Sequence, residues 1–233
     1  MKRVVLLLFL FAGSITLSVE GYPVPDKLCA LTFDDGPDPK LTTKVLDALE
    51  RHNVVATFFL VGKLVNERTR SVLERMVKMG CEVGNHSWDY NSLDKMEPER
   101  IREYVERTNK VIEEYTGQVP VFFRPPNLAV SRTMFDAIDM PFVGGVLGYD
   151  WAGCDRTPEK IAENVLKGVR DGAIILLHDV QPEPHPIVEA LEIIIPELKK
   201  MGYEFVTLSE LFRRKGIDPK DPKYKYRVWM YVQ

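Results

Sequence analysis

Five short segments carry acidic, guanidinium or imidazole side chains directly after a predicted buried strand. In chain order they are Asp34-Asp35-Gly36-Pro37, His86-Ser87-Trp88-Asp89, Arg124-Pro125-Pro126-Asn127, Asp150-Trp151 and His178-Asp179. In parallel α/β folds the carboxyl ends of the strands meet at one rim, and active sites gather there. We therefore expect these five segments to form one site.

The adjacent carboxylates of Asp34 and Asp35 are the first candidates for chemistry. Two carboxylates at a strand end repel each other and lose hydration, which a cation or an arginine would relieve. One of them can bind a metal while its neighbour stays free as a base, and Gly36-Pro37 forces a turn that fixes the pair. The structural alternative is an Asx turn with solvated carboxylates.

Two histidines and one arginine extend this candidate site. The neutral imidazole of His86 suits Zn²⁺ and related ions, and Arg124 could pair with an aspartate. His178 follows an apolar run and could act as a general acid that Asp150 orients. Each residue alone has an ordinary explanation, a buried histidine or a surface ion pair. Their common position at strand ends favours the functional interpretation. His52 and His185 lie elsewhere and are interpreted as surface or helix-start residues.

Short apolar runs alternate with amphipathic stretches along the chain, as in the predicted strand 28–33 and the predicted helix 42–51. This order predicts a parallel sheet with helical crossovers. Seven or so units in roughly 210 residues fit a single barrel better than two domains. Two of the predicted strands are 121–123 and 142–145.

The composition excludes several classes of protein. The 233 residues carry a net charge of −3, with 45% hydrophobic and 28% charged residues, so disorder is not expected. A broad nucleic-acid surface is not expected either, because there is no basic block. The three cysteines, Cys29, Cys81 and Cys154, are odd in number and widely spaced. This favours small buried residues over a disulfide framework or a metal cluster.

The two ends of the chain have their own patterns. Lys2 and Arg3 precede an apolar run and then small residues, which predicts a secretory signal over residues 1–21 and a secreted or cell-envelope protein. The alternative is an uncleaved N-terminal anchor, the one expected membrane contact. Residues 213–233 form a C-terminal extension that is charged and then aromatic, and it could add a strand or cover the core.

The five segments resemble the motifs of the polysaccharide deacetylases of carbohydrate esterase family 4, the NodB-homology family. The resemblance runs over about 28–212, and the sequence from Thr32 to Pro37 matches the first motif in full. It implies a single domain with a distorted (β/α)7 barrel. It also implies metal-dependent removal of N- or O-acetyl groups from sugars.

The resemblance also implies a role for each matching residue. Asp34 would be the general base, supported by Arg124, and His178 would be the general acid, tuned by Asp150. Asp35 and His86 would bind the metal. The backbone N–H of Asn127 would bind the oxyanion, and Trp151 and Leu176 would form a pocket for the acetyl methyl group.

One departure concerns the metal. The family motif usually places a second histidine four residues after the first, and here that position is Tyr90. A neutral phenol is a poor ligand, and ionising it costs free energy because its pKa is near 10. Asn91, Asp89 or a water could fill the third position, or the metal could bind weakly through two protein ligands. The remaining alternative is loss of metal and activity.

The leading hypothesis is an exported deacetylase with one divalent metal, Zn²⁺ before Co²⁺, Ni²⁺ or Mn²⁺, that acts on acetylated polysaccharide. Peptidoglycan or chitin-like N-acetylglucosamine comes first among the substrates and O-acetylated xylan second. The alternative is a catalytically impaired glycan-binding protein on the same fold, which Tyr90 favours. A third hypothesis is a hydrolase of non-glycan amides.

Overall fold

The computed structural model describes residues 26–151 and 153–233, so the predicted signal at 1–21 lies outside the described residues. Within these ranges, strands and helices alternate along the chain. The eight strands of the described residues are β1 Lys27–Asp34, β2 Thr57–Leu60, β3 Glu82–Asn85, β4 Phe142–Val143, β5 Val146–Leu147, β6 Ala173–His178, β7 Tyr203–Phe205 and β8 Val228–Trp229.

Seven α-helices connect and cover these strands in the same ranges. They are α1 Leu41–Arg51, α2 Arg70–Lys78, α3 Pro98–Thr116, α4 Arg132–Ala137, α5 Pro158–Gly168, α6 Ile187–Lys200 and α7 Leu208–Arg214. Short 3₁₀ turns lie at Gly62–Leu64, Pro126–Leu128 and Pro222–Tyr224. Helices α4 and α5 begin directly after Ser131 and Thr157, whose hydroxyls accept hydrogen bonds from backbone N–H groups of the first turn.

The sheet is organised around β1. This strand pairs in parallel with β6 along most of its length, with β2 at its carboxyl end and with β7 at its amino end. The main order is β3-β2-β1-β6-β5. Seven of the eight residues of β1 are buried. A parallel strand covered on both faces needs apolar side chains on both faces, which is why its sequence is almost continuously hydrophobic.

The predicted strand 121–123 is reduced to isolated bridges. Phe123 bridges to β3 on one side and to β4 on the other, both in parallel. Pro120 and Pro125 bracket this segment and have no N–H to extend a ladder. The bridges nevertheless continue the strand contacts from β3 to β4, as expected for a distorted barrel.

The single strand predicted at 142–145 is also different, because β4 and β5 are separated at Gly144-Gly145. A Cβ at Gly145 would lie 2.8 Å from Cβ of Leu176 on β6. Backbone that approaches a neighbouring strand so closely cannot carry a side chain. The two glycines therefore let the chain turn against β6 and bring the following residues towards its carboxyl end.

The C-terminal residues both add a strand and cover the core. β8 pairs in parallel with β4, and the backbone N–H of Ile174 on β6 donates to the carbonyl of Met230. Trp229 is fully buried, with its ring edge-on to those of Phe212 and Tyr224 at 4.9 and 4.8 Å between centroids.

The cysteines are consistent with a core that needs no disulfide bond. Cys29 and Cys81 are buried, as predicted, whereas Cys154 is partly exposed, and all three are free thiols. In the ranges 26–151 and 153–233 no helix combines the length and the apolar character needed to cross a bilayer.

Replacing Trp229 by alanine is expected to lower the free energy of unfolding by about 3–5 kcal/mol, because a buried aromatic ring leaves a cavity. Tyr226→Ala is the matched control. Tyr226 is 45% exposed, and its edge contact with Phe135 is worth about 0.5–1.5 kcal/mol. Urea denaturation followed by circular dichroism measures both variants. Equal losses would contradict the role of Trp229 in the core.

Candidate active site

The strand ends form one cavity, as the sequence predicted. Asp34 and His178 occupy paired positions at the carboxyl ends of β1 and β6, so their side chains enter the same space. The cavity has a volume of about 470 Å³. The predicted site residues that line it are Asp34, Asp35, His86, Tyr90, Asn127, Trp151, Leu176 and His178. Arg124 and Asp150 are fully buried beside it.

Arg124 fixes the carboxylate of Asp34 through a buried ion pair. Its Nη1 donates to Oδ1 of Asp34 at 2.7 Å, and its Nη2 donates to the carbonyl of Gly144 at 2.6 Å. The guanidinium carbon lies 4.1 Å from the centroid of the Phe59 ring. Both charges of the ion pair are buried, so each depends on the other for compensation. One carboxylate oxygen of Asp34 is thus fixed, while Oδ2 faces His86 Nε2 at 3.9 Å.

Asp150 holds His178 in the same way on the other side of the cavity. Oδ1 of Asp150 accepts a hydrogen bond from Nδ1 of His178 at 2.9 Å, and Oδ2 accepts the backbone N–H of His178 at 2.8 Å. Burial alone would lower the pKa of His178. The hydrogen bond to Asp150 and the nearby carboxylates outweigh burial and raise this pKa to about 9. The imidazole therefore holds a proton at neutral pH, as a general acid must.

Asp35 and His86 form a pair of donors that fits a divalent cation. Nδ1 of His86 donates to the backbone carbonyl of Arg124 at 2.8 Å, which leaves the lone pair on Nε2. That nitrogen lies 3.5 Å from Oδ1 of Asp35. Metal-binding histidines usually donate their second ring nitrogen to a carbonyl in this way. Two donors about 2.0–2.2 Å from one ion can be separated by such a distance.

The charges around His86 support the same interpretation. Burial alone would lower the pKa of His86, but the carboxylates of Asp34 and Asp35 outweigh it and the net shift is upward. A positive charge is therefore favoured at this point, whether a proton or a metal supplies it. No group of three His, Cys, Asp or Glu side chains in the described residues is arranged to hold a metal. A cation here would take two protein ligands of these types.

The proposed third-ligand positions differ in where they lie. Tyr90 reaches the cavity, and its Oη donates to the backbone carbonyl of Asp35 at 3.2 Å. Partial burial and nearby carboxylates raise the pKa of Tyr90, so the phenol stays neutral. Asn91 is exposed outside the cavity lining, and its backbone N–H donates to Oδ1 of Asp89. This arrangement favours water over Asn91 as the remaining ligand.

Sequence reasoning missed the part that Asp179 plays. Its Oδ2 accepts a hydrogen bond from the Thr42 hydroxyl, and burial raises its pKa to about 7. A Cβ at Gly36 would lie 2.3 Å from the same oxygen. Asp179 therefore packs directly on the turn after Asp35 and fixes it. Its position after a buried strand was the one signal in the sequence.

Gln181 is a second missed residue. Its Nε2 donates to Oδ2 of Asp35 at 2.6 Å, and it also lines the cavity. The sequence gives no sign of this contact, because a glutamine three residues after a strand is ordinary loop composition. The hydrogen bond orients the Asp35 carboxylate with its other oxygen towards His86.

His185 does lie at the start of α6, directly before its N-cap Pro186, but its interpretation as a surface residue away from the site was wrong. Its side chain is 1% exposed, and Nε2 lies 3.5 Å from Oδ2 of Asp150. The loop 181–186 folds back over Asp150 before α6 begins, which residue types alone do not reveal. His52 does lie away from the cavity, at the end of α1, with Nε2 2.7 Å from Glu192 Oε2.

The family model described as "Polysaccharide deacetylase" matches residues 21–140 of the chain. This chain belongs to the polysaccharide deacetylase family. It is similar to a structure of a family 4 acetyl xylan esterase from Clostridium thermocellum, in complex with a cobalt ion. The two are 55% identical, with a TM-score of 0.85 and coverage of 88% of this chain and 99% of that one. The match confirms the predicted fold class, a single α/β domain of the distorted-barrel type.

Other relatives of this polysaccharide deacetylase family member differ in length. A bifunctional xylanase/deacetylase from Pseudobutyrivibrio xylanivorans is 44% identical over 207 residues, which are 89% of this chain and 33% of that protein. A peptidoglycan-N-acetylglucosamine deacetylase from Bacillus cereus is 36% identical over 209 residues, or 87% and 95% of the two chains. The chain spans 33–40% of the length of the first curated relatives it matches.

Arg124→Met is expected to lower the free energy of unfolding by about 3–5 kcal/mol, because Asp34 would stay buried without its partner. The double variant with Asp34→Asn removes both charges and should recover part of that loss. Urea denaturation of the two single variants and the double variant gives their coupling energy. Strictly additive losses would contradict the ion pair as the source of the effect.

Proposed function

We propose that the chain is a metal-dependent hydrolase that removes acetyl groups from a polysaccharide. The observation that carries this proposal is the pairing of Asp34 with His178 across one cavity. Each has its own buried partner, Arg124 at 2.7 Å and Asp150 at 2.9 Å. A base and an acid held separately on one cavity are what hydrolysis by a water molecule requires.

Asp35 and His86 are the proposed protein ligands of one divalent cation, and water is the proposed third ligand in place of Tyr90. When bound, such an ion polarises an acetyl carbonyl and lowers the pKa of a water. A carboxylate and an imidazole suit Zn²⁺, our first candidate. The cobalt in the Clostridium thermocellum esterase supports Co²⁺ as the second, and Ni²⁺ and Mn²⁺ are further candidates.

Asp34 is the proposed general base. Arg124 occupies its Oδ1, so Oδ2 is the oxygen left to take a proton from the attacking water. The attack would give a tetrahedral oxyanion, and the backbone N–H of Asn127 is the proposed donor to it. Asn127 lies on the cavity wall in a left-handed backbone conformation, with φ of 57°.

His178 is the proposed general acid. With Nδ1 bound to Asp150, its other ring nitrogen is left to protonate the departing sugar oxygen or nitrogen. Leu176 and Trp151 are proposed to hold the acetyl methyl group, since both line the cavity and the indole packs edge-on to His178 at 5.8 Å between centroids.

For the substrate, we propose that acetylated xylan be tested first and polymers of N-acetylglucosamine second. The relatives that carry xylan in their names share 55% and 44% of aligned residues with this chain, against 36% for the peptidoglycan deacetylase from Bacillus cereus. This reverses the order that the motifs alone suggested. We also propose export of the chain, supported by the basic and apolar pattern of residues 1–21.

The glycan-binding alternative is not favoured. A protein that only binds sugar has no use for two buried ion pairs that orient an acid and a base. Arg124 and Asp150 are both fully buried, and burying charged groups costs free energy that a binding module could avoid with apolar residues. Tyr90 alters one edge of the cavity and touches neither pair.

Asp34→Asn and His178→Gln are each expected to lower kcat for acetate release by about 10²–10⁴-fold, the usual contribution of a general base or acid. Asp139→Asn is the control, since Asp139 is exposed and lies outside the cavity lining. Acetate released from acetylated xylan and from N-acetylglucosamine oligomers, with added Zn²⁺ or Co²⁺, is the measurement. Unchanged rates in both variants would sink the proposed mechanism.

Titration of metal-free protein with Zn²⁺ or Co²⁺ by calorimetry is expected to show one ion per chain. His86→Ala should weaken binding by at least about 10–100-fold, the loss seen even for partners of ligands. Tyr90→Phe should leave Kd unchanged, and Tyr90→His should tighten binding by adding an imidazole. Loss of binding in Tyr90→Phe would instead identify the tyrosine as a ligand.

A further inference from the structure

A second histidine, His185, lies behind the pair formed by Asp150 and His178. We propose that His185 is a positioning residue. Its Nε2–H donates a hydrogen bond to Oδ2 of Asp150 and so fixes the carboxylate that holds His178. The contact itself does not depend on the proposed function; only its effect on the rate of acetyl removal does.

The case begins with burial. The side chain of His185 is 1% exposed and that of Asp150 is 0% exposed, with 3.5 Å between Nε2 and Oδ2. This Nε2 is a buried nitrogen without a hydrogen-bond partner in the described structure. Leaving such an atom unpaired costs free energy, because its hydration is lost and no hydrogen bond replaces it. The carboxylate is close enough that a shift of a few tenths of an ångström completes the bond.

The charge of Asp150 decides which nitrogen of His185 carries the proton. A lone pair on Nε2 would face the lone pairs of a carboxylate across 3.5 Å, which is repulsive. Burial alone would raise the pKa of Asp150, but the hydrogen bonds from His178 and the nearby imidazole of His185 outweigh burial and lower it to about 2. Asp150 is therefore an anion, and a proton on Nε2 is the favoured state of His185.

The loop before α6 is anchored so that it can hold His185 in place. The backbone N–H of His185 donates to Oε2 of Glu183 at 2.9 Å, and Oε1 of Glu183 accepts from Nζ of Lys44 on α1 at 3.1 Å. Nη1 of Arg156 donates to the carbonyl of Pro182 at 3.2 Å. Contacts from two other parts of the chain thus fix the loop over Asp150.

Sharing Asp150 between two imidazoles changes the acid. The charged groups that face His178 are Asp150, Asp34 and Asp35, and all three favour its protonated form. A hydrogen bond donated to Oδ2 partly offsets the negative charge of Asp150, so the carboxylate stabilises the protonated form of His178 less strongly. His185 therefore keeps the acid from becoming too basic to release its proton, and it prevents the carboxylate from rotating.

The test is an NMR titration of metal-free protein with isotope-labelled histidine, with the His178 signals assigned by a His178→Asn variant. His185→Phe is expected to raise the pKa of His178 by about half a unit, a threefold change in proton affinity. His185→Gln returns an N–H donor and should restore the wild-type value. His52→Gln, on the far end of α1, is the matched control.

An unchanged pKa of His178 in folded His185→Phe would overturn the proposal, and so would a lower one. If that variant does not fold, the ¹⁵N shifts of His185 in the wild type decide. A proton on Nε2 supports the contact, and a proton on Nδ1 alone overturns it.

Acetate release supplies a separate readout. If the wild type releases acetate, His185→Phe should lower kcat with KM unchanged, and His185→Gln should recover kcat. A KM effect without a kcat effect would count against the positioning role. If the wild type releases none from any substrate, the proposed function fails, whereas the NMR result still decides the role of His185.

Discussion

The buried ion pair between Arg124 and Asp34 is the interaction on which the rest of the site depends. Arg124 is fully buried, so its charge needs compensation at every donor. Nη1 donates a hydrogen bond to Asp34 on β1, and Nη2 donates one to the carbonyl of Gly144 between β4 and β5. The backbone carbonyl of Arg124 accepts from His86 after β3. One residue thus joins three separate strand ends, and it can do so because Gly144-Gly145 lets the chain turn against β6.

The rim concentrates negative charge, and each carboxylate is stabilised differently. Asp34 has a guanidinium, Asp150 has two imidazoles, and Asp35 has His86 and Gln181. Asp179 has a hydroxyl, and burial raises its pKa to about 7. Because each group depends on a different partner, the carboxylates can stand close together and still differ in role. Such divergence between neighbouring acids is how one site supplies both base and acid chemistry.

The features that depend on strand polarity could be predicted from the sequence. Apolar runs that end in polar residues indicated the rim, and the parallel order placed Asp34 beside His178. The strand pairing predicted at 121–123 was overestimated, because the two flanking prolines limit backbone hydrogen bonding there and β-propensity does not take this into account. His185 and Gln181 could not be predicted, since their roles depend on how one loop folds back over the strand ends. No periodicity records such a path, and a histidine seven residues after His178 has no spacing signal.

The two halves of the site lie on different strands, and this bears on the effect of Tyr90. In the first half, Asp34 ends β1, His86 directly follows β3, and Arg124 lies between β3 and β4. Asp150, His178 and His185 belong to β6 and the loops around it. The halves meet in the pairing of β1 with β6 and in the hydrogen bond from Gln181 to Asp35. A phenol that hydrogen-bonds to the backbone of Asp35 changes the first half without disturbing the buried groups of the second. Both buried ion pairs are present beside Tyr90, although burying each one costs desolvation energy. They therefore support the proposed hydrolysis, with water proposed as a metal ligand in place of a side chain at position 90.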